Sequence, residues 1–163
     1  MSVLKAIGFR VTTSELFYSV VQGDTQDPEL IINSKLKPPA AFTFPQVLSW
    51  YREQIVGLFH EYGIEACGIK IAEPISRTMG AAAREGAIKR NNIEGVLVET
   101  AATSDKKVVY GNFSTMSSLL ETKKPKGYLT KEDFRGIEKW SGLNQNYKES
   151  VLAAVSALGE LVE

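Results

Sequence analysis

The 163-residue chain is 44% hydrophobic and 23% charged, the balance of one globular domain with a proper core, which excludes wholesale disorder. Its 19 basic and 19 acidic side chains cancel, so no global field marks it as a nucleic-acid binder and only a local basic patch is left open. One cysteine excludes an internal disulfide and fits a reducing compartment, and no apolar run approaches the ~20 residues of a membrane helix. The opening MSVLKAIGFR turns polar too soon for a signal peptide. The expectation is a single domain over residues 1–163, cytoplasmic and without membrane contact.

Val3–Phe9 reads as a strand, and a tight turn over residues 11–14 leads into a second, Leu16–Val21, forming a hairpin. Turn formers fill residues 23–28. Leu30, Ile31 and Ile32 start a shorter third strand at the sheet edge, which Lys37, Pro38 and Pro39 end. Thr43-Phe44-Pro45-Gln46 has the form of a helix start, with a threonine cap, an early proline and a glutamine to reach back. Val47, Leu48, Tyr51, Ile55, Leu58, Phe59 and Tyr62 then recur at helical spacing and predict an amphipathic helix over Pro45–Tyr62, stopped by Gly63. His60, the one histidine, has no second ligand at metal spacing.

Ile64–Pro74 is the stretch around which the rest is organised. Ala66–Ala72 is small, apolar or β-branched apart from Lys70, as a central strand should be, and Cys67 inside it reads as a small core residue. Glu73 is the first residue to leave this strand. Open α/β sheets carry their chemistry at the carboxyl ends of strands, which makes Glu73 the leading site candidate, the alternative being a merely solvated acid. Ser76–Lys89 predicts a helix with an unusually small face, whose glycines are not spaced as a phosphate loop. Asn91-Asn92 reads as a turn, Ile93–Val98 as a strand ending at Glu99, and Thr103-Ser104-Asp105 as the cap of a short helix over residues 106–110. Residues 122–127, TKKPKG, form a basic loop. Residues 130–133 look like a cap before a helix carrying Phe134, Ile137 and Trp140, residues 141–146 like a turn, and Val151, Leu152, Val155, Leu158 and Leu161 like the apolar face of a last helix.

Ile7-Gly8-Phe9-Arg10 with Tyr18-Ser19-Val20-Val21, the strand end Ile71-Ala72-Glu73-Pro74, the small-residue run Gly80–Lys89, and Glu94–Glu99 followed by SDKKVVYG at residues 104–111 resemble, in order and spacing, successive pieces of the bacterial RuvC-type Holliday junction resolvases. The resemblance runs from Ile7 to about Leu158. It implies the ribonuclease H-like fold: a mixed five-stranded α/β sheet, with strands 1-2-3 antiparallel and strands 4 and 5 parallel, flanked by helices. Active members of that family gather acidic side chains around two Mg²⁺ ions roughly 3.5–4 Å apart. The resemblance places the family's first acid at Arg10 and its second at Glu73. Its last acids fall at Tyr147 and Ser150, with Glu149 between them.

A guanidinium cannot ligate a metal and repels one. The expectation is therefore an Arg10–Glu73 pair in place of the metal, unless Arg10 turns to solvent or the register is off by one residue. Three functions stay open. The first is a non-catalytic, pseudoenzyme-like domain that binds a nucleic-acid or protein partner through the old cleft, with Arg77, Arg84, Lys89, Arg90, Lys106, Lys107, Lys123, Lys124 and Lys126 as contact candidates. The second is an active endonuclease dependent on Mg or Mn, with Glu73, Glu99 and Glu149 as catalytic candidates and Asp105 nearby. The third is a structural or assembly protein, for which the resemblance allows a homodimer through the helical face. No cofactor is expected outside the nuclease reading.

Overall fold

The computed structural model describes residues 3–71 and 76–162. Its strands are β1 Lys5–Val11, β2 Leu16–Asp24, β3 Asp27–Leu36, β4 Ala66–Lys70 and β5 Lys107–Gly111, and they lie side by side in the order β3-β2-β1-β4-β5. The first three pair antiparallel, while β4 joins β1 and β5 joins β4 in parallel, which is the expected mixed sheet. The helices are α1 Phe44–Tyr62, α2 Ala81–Thr103, α3 Phe113–Ser117 and α4 Gln145–Leu161. At the start of α1 the Thr43 amide donates to the Gln46 side chain at 2.8 Å, and Gly63 leaves the helix at φ 62.

The two faces of the sheet follow from strand alternation. Ile7, Phe9 and Val11 of β1 and Cys67 and Ile69 of β4 enter one core with Tyr51, Ile55, Leu58 and Phe59 of α1 and Ile93, Leu97 and Ala101 of α2. The alternate residues, Ala6-Gly8-Arg10 and Ala66-Gly68-Lys70, face α4. The parallel register sets like beside like: Ala6 by Ala66, Gly8 by Gly68, Arg10 by Lys70. A Cβ on Gly8 would strike the Ser150 carbonyl oxygen and the Ala154 amide nitrogen, and one on Gly68 the Ala153 carbonyl. Helix α4 thus rests on bare strand backbone.

On its other side α4 is roofed by residues 113–143. Met116, Leu120, Phe134, Ile137 and Trp140 are buried against it, with the Phe134 ring 4.6 Å from Tyr128 and 5.1 Å from Trp140. Every residue of α4 from Lys148 to Gly159 is consequently buried, where one apolar face was expected. Lys148 is accommodated because its ammonium donates to the Leu129 carbonyl at 2.9 Å.

Four expectations are corrected. Ile93–Val98 is not a strand: α2 runs unbroken through Asn91 and Asn92, and its buried residues Ala87, Ile93, Glu94, Leu97, Thr100 and Ala101 recur at helical spacing. The fifth strand is instead Lys107–Gly111, where a short helix was expected; it is an edge strand that turns Val109 inward and Tyr110 outward. Phe134, Ile137 and Trp140 are core residues, but no helix carries them. Arg135, Gly136 and Lys139 have φ of 49, 77 and 59, which breaks any helical run, and only the short 3-10 segments Pro125–Thr130 and Trp140–Gly142 occur there. Strand β1 also continues to Val11, so Arg10 lies within the ladder rather than after it.

Candidate functional site

Parallel pairing brings the carboxyl ends of β1, β4 and β5 together, with Arg10 opposite Lys70 and Lys70 opposite Gly111. Arg10 and Lys70 point to the α4 face. There Asn144 caps α4 by accepting the Tyr147 amide at 2.9 Å, and Glu149, at the start of the second turn, is delivered between the two cations. The Arg10 Nε donates to Glu149 Oε2 at 3.2 Å, and the Lys70 ammonium lies 3.7 Å from Oε1. The exposures of the three side chains, 18% for Arg10, 2% for Lys70 and 4% for Glu149, make this a largely buried ion cluster. Both cations also donate to nearby backbone. Arg10 Nη1 donates to the Val11 carbonyl at 2.7 Å, and Lys70 Nζ donates to the Ile71 carbonyl at 2.8 Å.

The neighbouring positions are equally tied down. Ser150 Oγ donates to the Tyr147 carbonyl at 2.7 Å, which leaves the Ser19 hydroxyl to donate to Ser150 at 2.6 Å across the sheet–helix contact. The Tyr147 ring meets Phe17 edge-on at 4.9 Å. Glu73 and its expected pair with Arg10 lie outside the described residues.

The other acid candidates do not gather here. Glu99 is exposed on α2, behind the opposite face of the sheet, 3.8 Å from Arg52 of α1, and accepts the Thr103 hydroxyl at 3.0 Å. Asp105 sits in the turn before β5, at the amino end of the parallel strands, with φ 61. Among the described residues no three His, Cys, Asp or Glu side chains gather in a way that could hold a metal. A divalent magnesium ion requires several oxygen ligands. The described residues at the strand ends offer one carboxylate, already facing a guanidinium and an ammonium, and so do not fit the metal.

The basic candidates divide between the two ends of the sheet. Arg77 and Arg84 are exposed just before and within the first turn of α2, at the carboxyl end of β4, and Lys89 is 3.7 Å from Glu85 one turn away. Arg90 is half-buried beside Gly86. Lys106, with its ammonium 5.7 Å above the Phe59 ring, and Lys107 belong to the far end. Lys123, Lys124 and Lys126 line a groove of about 550 Å³ with Phe113, Ser114, Ser117, Pro125 and Gly127. That groove adjoins the ion cluster through Phe113, whose ring lies 4.8 Å from the Lys70 ammonium.

Sequence reasoning missed Lys70 and Phe113 as site members. The signal for Lys70 was present: Ala6-Ile7-Gly8-Phe9-Arg10 and Ala66-Cys67-Gly68-Ile69-Lys70 share one pattern of small residue, glycine and cation at alternate positions. Cys67 is core, as expected, and burial pushes its thiol pKa up.

The sequence matches no family model and no curated protein. Its backbone is similar to solved structures. RuvC of T. thermophilus in complex with a Holliday junction substrate superposes with a TM-score of 0.71 at 14% identity, covering 98% of this chain and 96% of that one. A second Thermus thermophilus RuvC structure gives 0.68 at 12% identity, with the same coverage. The yeast mitochondrial Holliday junction resolvase Ydc2 gives 0.56 at 10% identity over 94% of this chain and 78% of that one. With its 3-2-1-4-5 mixed sheet and flanking helices, the chain has the RuvC-like ribonuclease H fold.

Proposed function

We propose that this chain is a non-catalytic ribonuclease H-like domain that binds nucleic acid at the carboxyl end of its parallel strands. The reading is carried by the Arg10–Glu149–Lys70 cluster, which among the described residues sets two cations against one carboxylate where the resembling nucleases need acids. A cationic strand end favours phosphate and disfavours a divalent ion. Exposed Arg77 and Arg84 and the Lys123–Lys126 groove supply further positive charge at the same end, in a protein of zero net charge. The solved structures of similar fold include a resolvase bound to a junction substrate, which supports a nucleic-acid partner over a protein one.

The test is calorimetric titration of Mg²⁺ and Mn²⁺ into the purified protein, alongside binding and cleavage assays on four-way junctions and single strands. The expected results are no metal binding, no cleavage, and nucleic-acid affinity that falls with salt and is unchanged by EDTA. Metal-dependent cleavage abolished by Glu149→Gln or Glu73→Gln overturns the reading in favour of a nuclease.

A further inference from the structure

We infer that the groove lined by Lys123, Lys124, Lys126 and Phe113 is the seat of a single nucleic-acid strand, with its phosphates on the three lysines and a base against Phe113. The inference rests on the functional reading above and adds the place, the strandedness and the residues.

The groove is basic. Between Thr122 and Lys131 the chain carries four lysines and no acid, although acids and bases balance over the whole molecule. Among the described residues no acidic side chain lines the groove, and Lys123, Lys124 and Lys126 are all exposed. Their spacing has a structural cause. Pro125 is buried and starts the 3-10 segment Pro125–Thr130, so Lys124 and Lys126 flank a fixed point instead of trailing from a free loop. Lys131, the fourth, is directed elsewhere, its ammonium 4.7 Å from the Tyr128 ring.

The groove also has an aromatic wall. Phe113 is the first residue of α3, held at the end of β5 by the Asn112 cap, which accepts the Thr115 amide at 3.2 Å. Its ring contacts the Lys70 ammonium and also lines the groove, so the buried ion cluster fixes the orientation of an aromatic surface that the groove presents. Basic side chains along a backbone track with an aromatic platform beside them are the requirements for holding a single strand, in which base faces are free to stack. A duplex hides those faces. The volume, about 550 Å³, is in the range of ordinary ligand sites.

The test is fluorescence anisotropy with labelled single-stranded DNA and RNA 12-mers and a duplex of the same sequence, over a salt series. The proteins compared are wild type, Lys123→Gln/Lys124→Gln/Lys126→Gln, Phe113→Leu, and the far-end control Lys106→Gln/Lys107→Gln. The groove lysines are exposed, so the triple variant is expected to melt as wild type does.

Single strands release counterions with a slope of about −0.7 per phosphate contact, so loss of three contacts should flatten the log–log salt dependence by about 2. Affinity at low salt should fall with it. Phe113→Leu should weaken single-strand binding while leaving the salt slope intact, and the control pair should bind as wild type. A triple variant that binds as wild type overturns the groove and leaves the functional reading standing. Tighter binding of duplex than of single strand overturns the strand assignment. Wild type that binds no nucleic acid at any salt overturns both.

Discussion

The two faces of the sheet are made from the same five-residue segments of β1 and β4, yet they are built on different physics. Toward α1 and α2 the strands send Ile7, Phe9, Cys67 and Ile69, and the core is filled by side-chain volume. Toward α4 they send alanine, glycine and then a cation, so contact is made by backbone and closed by charge. A volume-filled face tolerates modest repacking, because neighbouring side chains can adjust. A face on which helix backbone lies against strand backbone has nothing to adjust, and a buried ion cluster depends on every member. The candidate site is on the second face, where each position is most constrained.

The sharpest way to break this contrast is at the glycines. Gly68→Ala places a methyl group into the Ala153 carbonyl and is expected to lose more than about 4 kcal/mol, or to prevent folding altogether. Gly57 of α1 has nothing within 4 Å of its would-be Cβ, and Gly57→Ala should stabilise by about 0.5–1 kcal/mol through helix propensity alone. Urea unfolding of the pair measures the difference. Equal, small effects would show that α4 is not seated on bare strand.

Next in size is the ion cluster. Glu149→Gln removes the carboxylate between Arg10 and Lys70 and is expected to cost about 3 kcal/mol, because packing does not make good the loss of one charged member of a buried ion cluster. On the volume-filled face Ile55→Val should cost only about 1 kcal/mol. If the two shift the urea midpoint equally, the ion cluster holds its face no more tightly than ordinary packing does.

The smallest effect is an alkaline one and belongs to the α1 face. Burial pushes the Cys67 thiol and the Tyr51 phenol up from their ordinary values. The native state therefore keeps its protons after the unfolded chain has begun to release them. With fewer protons bound in the unfolded state, stability declines as pH rises above about 9, where the unfolded cysteine titrates first. Urea midpoints at about pH 8 and about pH 10 should show the decline, and Cys67→Ala should make it shallower. A midpoint that rises over this interval contradicts the burial-driven direction.

Much of the fold was legible from local pattern. The capping box at Thr43–Gln46, the helical spacing of Tyr51, Ile55, Leu58 and Phe59, and the Gly63 stop are all short-range signals, and α1 begins and ends where they indicate. The run Ile93-Glu94-Gly95-Val96-Leu97-Val98 was not legible. Its two valines favour a strand, and only packing of Ile93, Leu97 and Ala101 against α1 and the sheet decides for helix. Once that run is helical, Lys107–Gly111 is the segment left to fill the edge beside β4. The stretch from Thr130 to Trp140 carries the right apolar residues, but it takes its path from the surface of α4 rather than from any internal period.

The candidate site divides in the same way. A cation at Arg10 near the end of the first strand could be read directly from the order of residues, as could the cluster Lys123, Lys124 and Lys126. That Arg10 meets Glu149, that Lys70 joins them, and that Phe113 links this cluster to the lysine groove could not. These residues stand up to 139 positions apart and have no shared period. They meet because β1, β4 and β5 are parallel and in register, and because two glycines let α4 descend onto the strands. Local chemistry determined which side chains were available; close approach of distant backbones decided which of them touch.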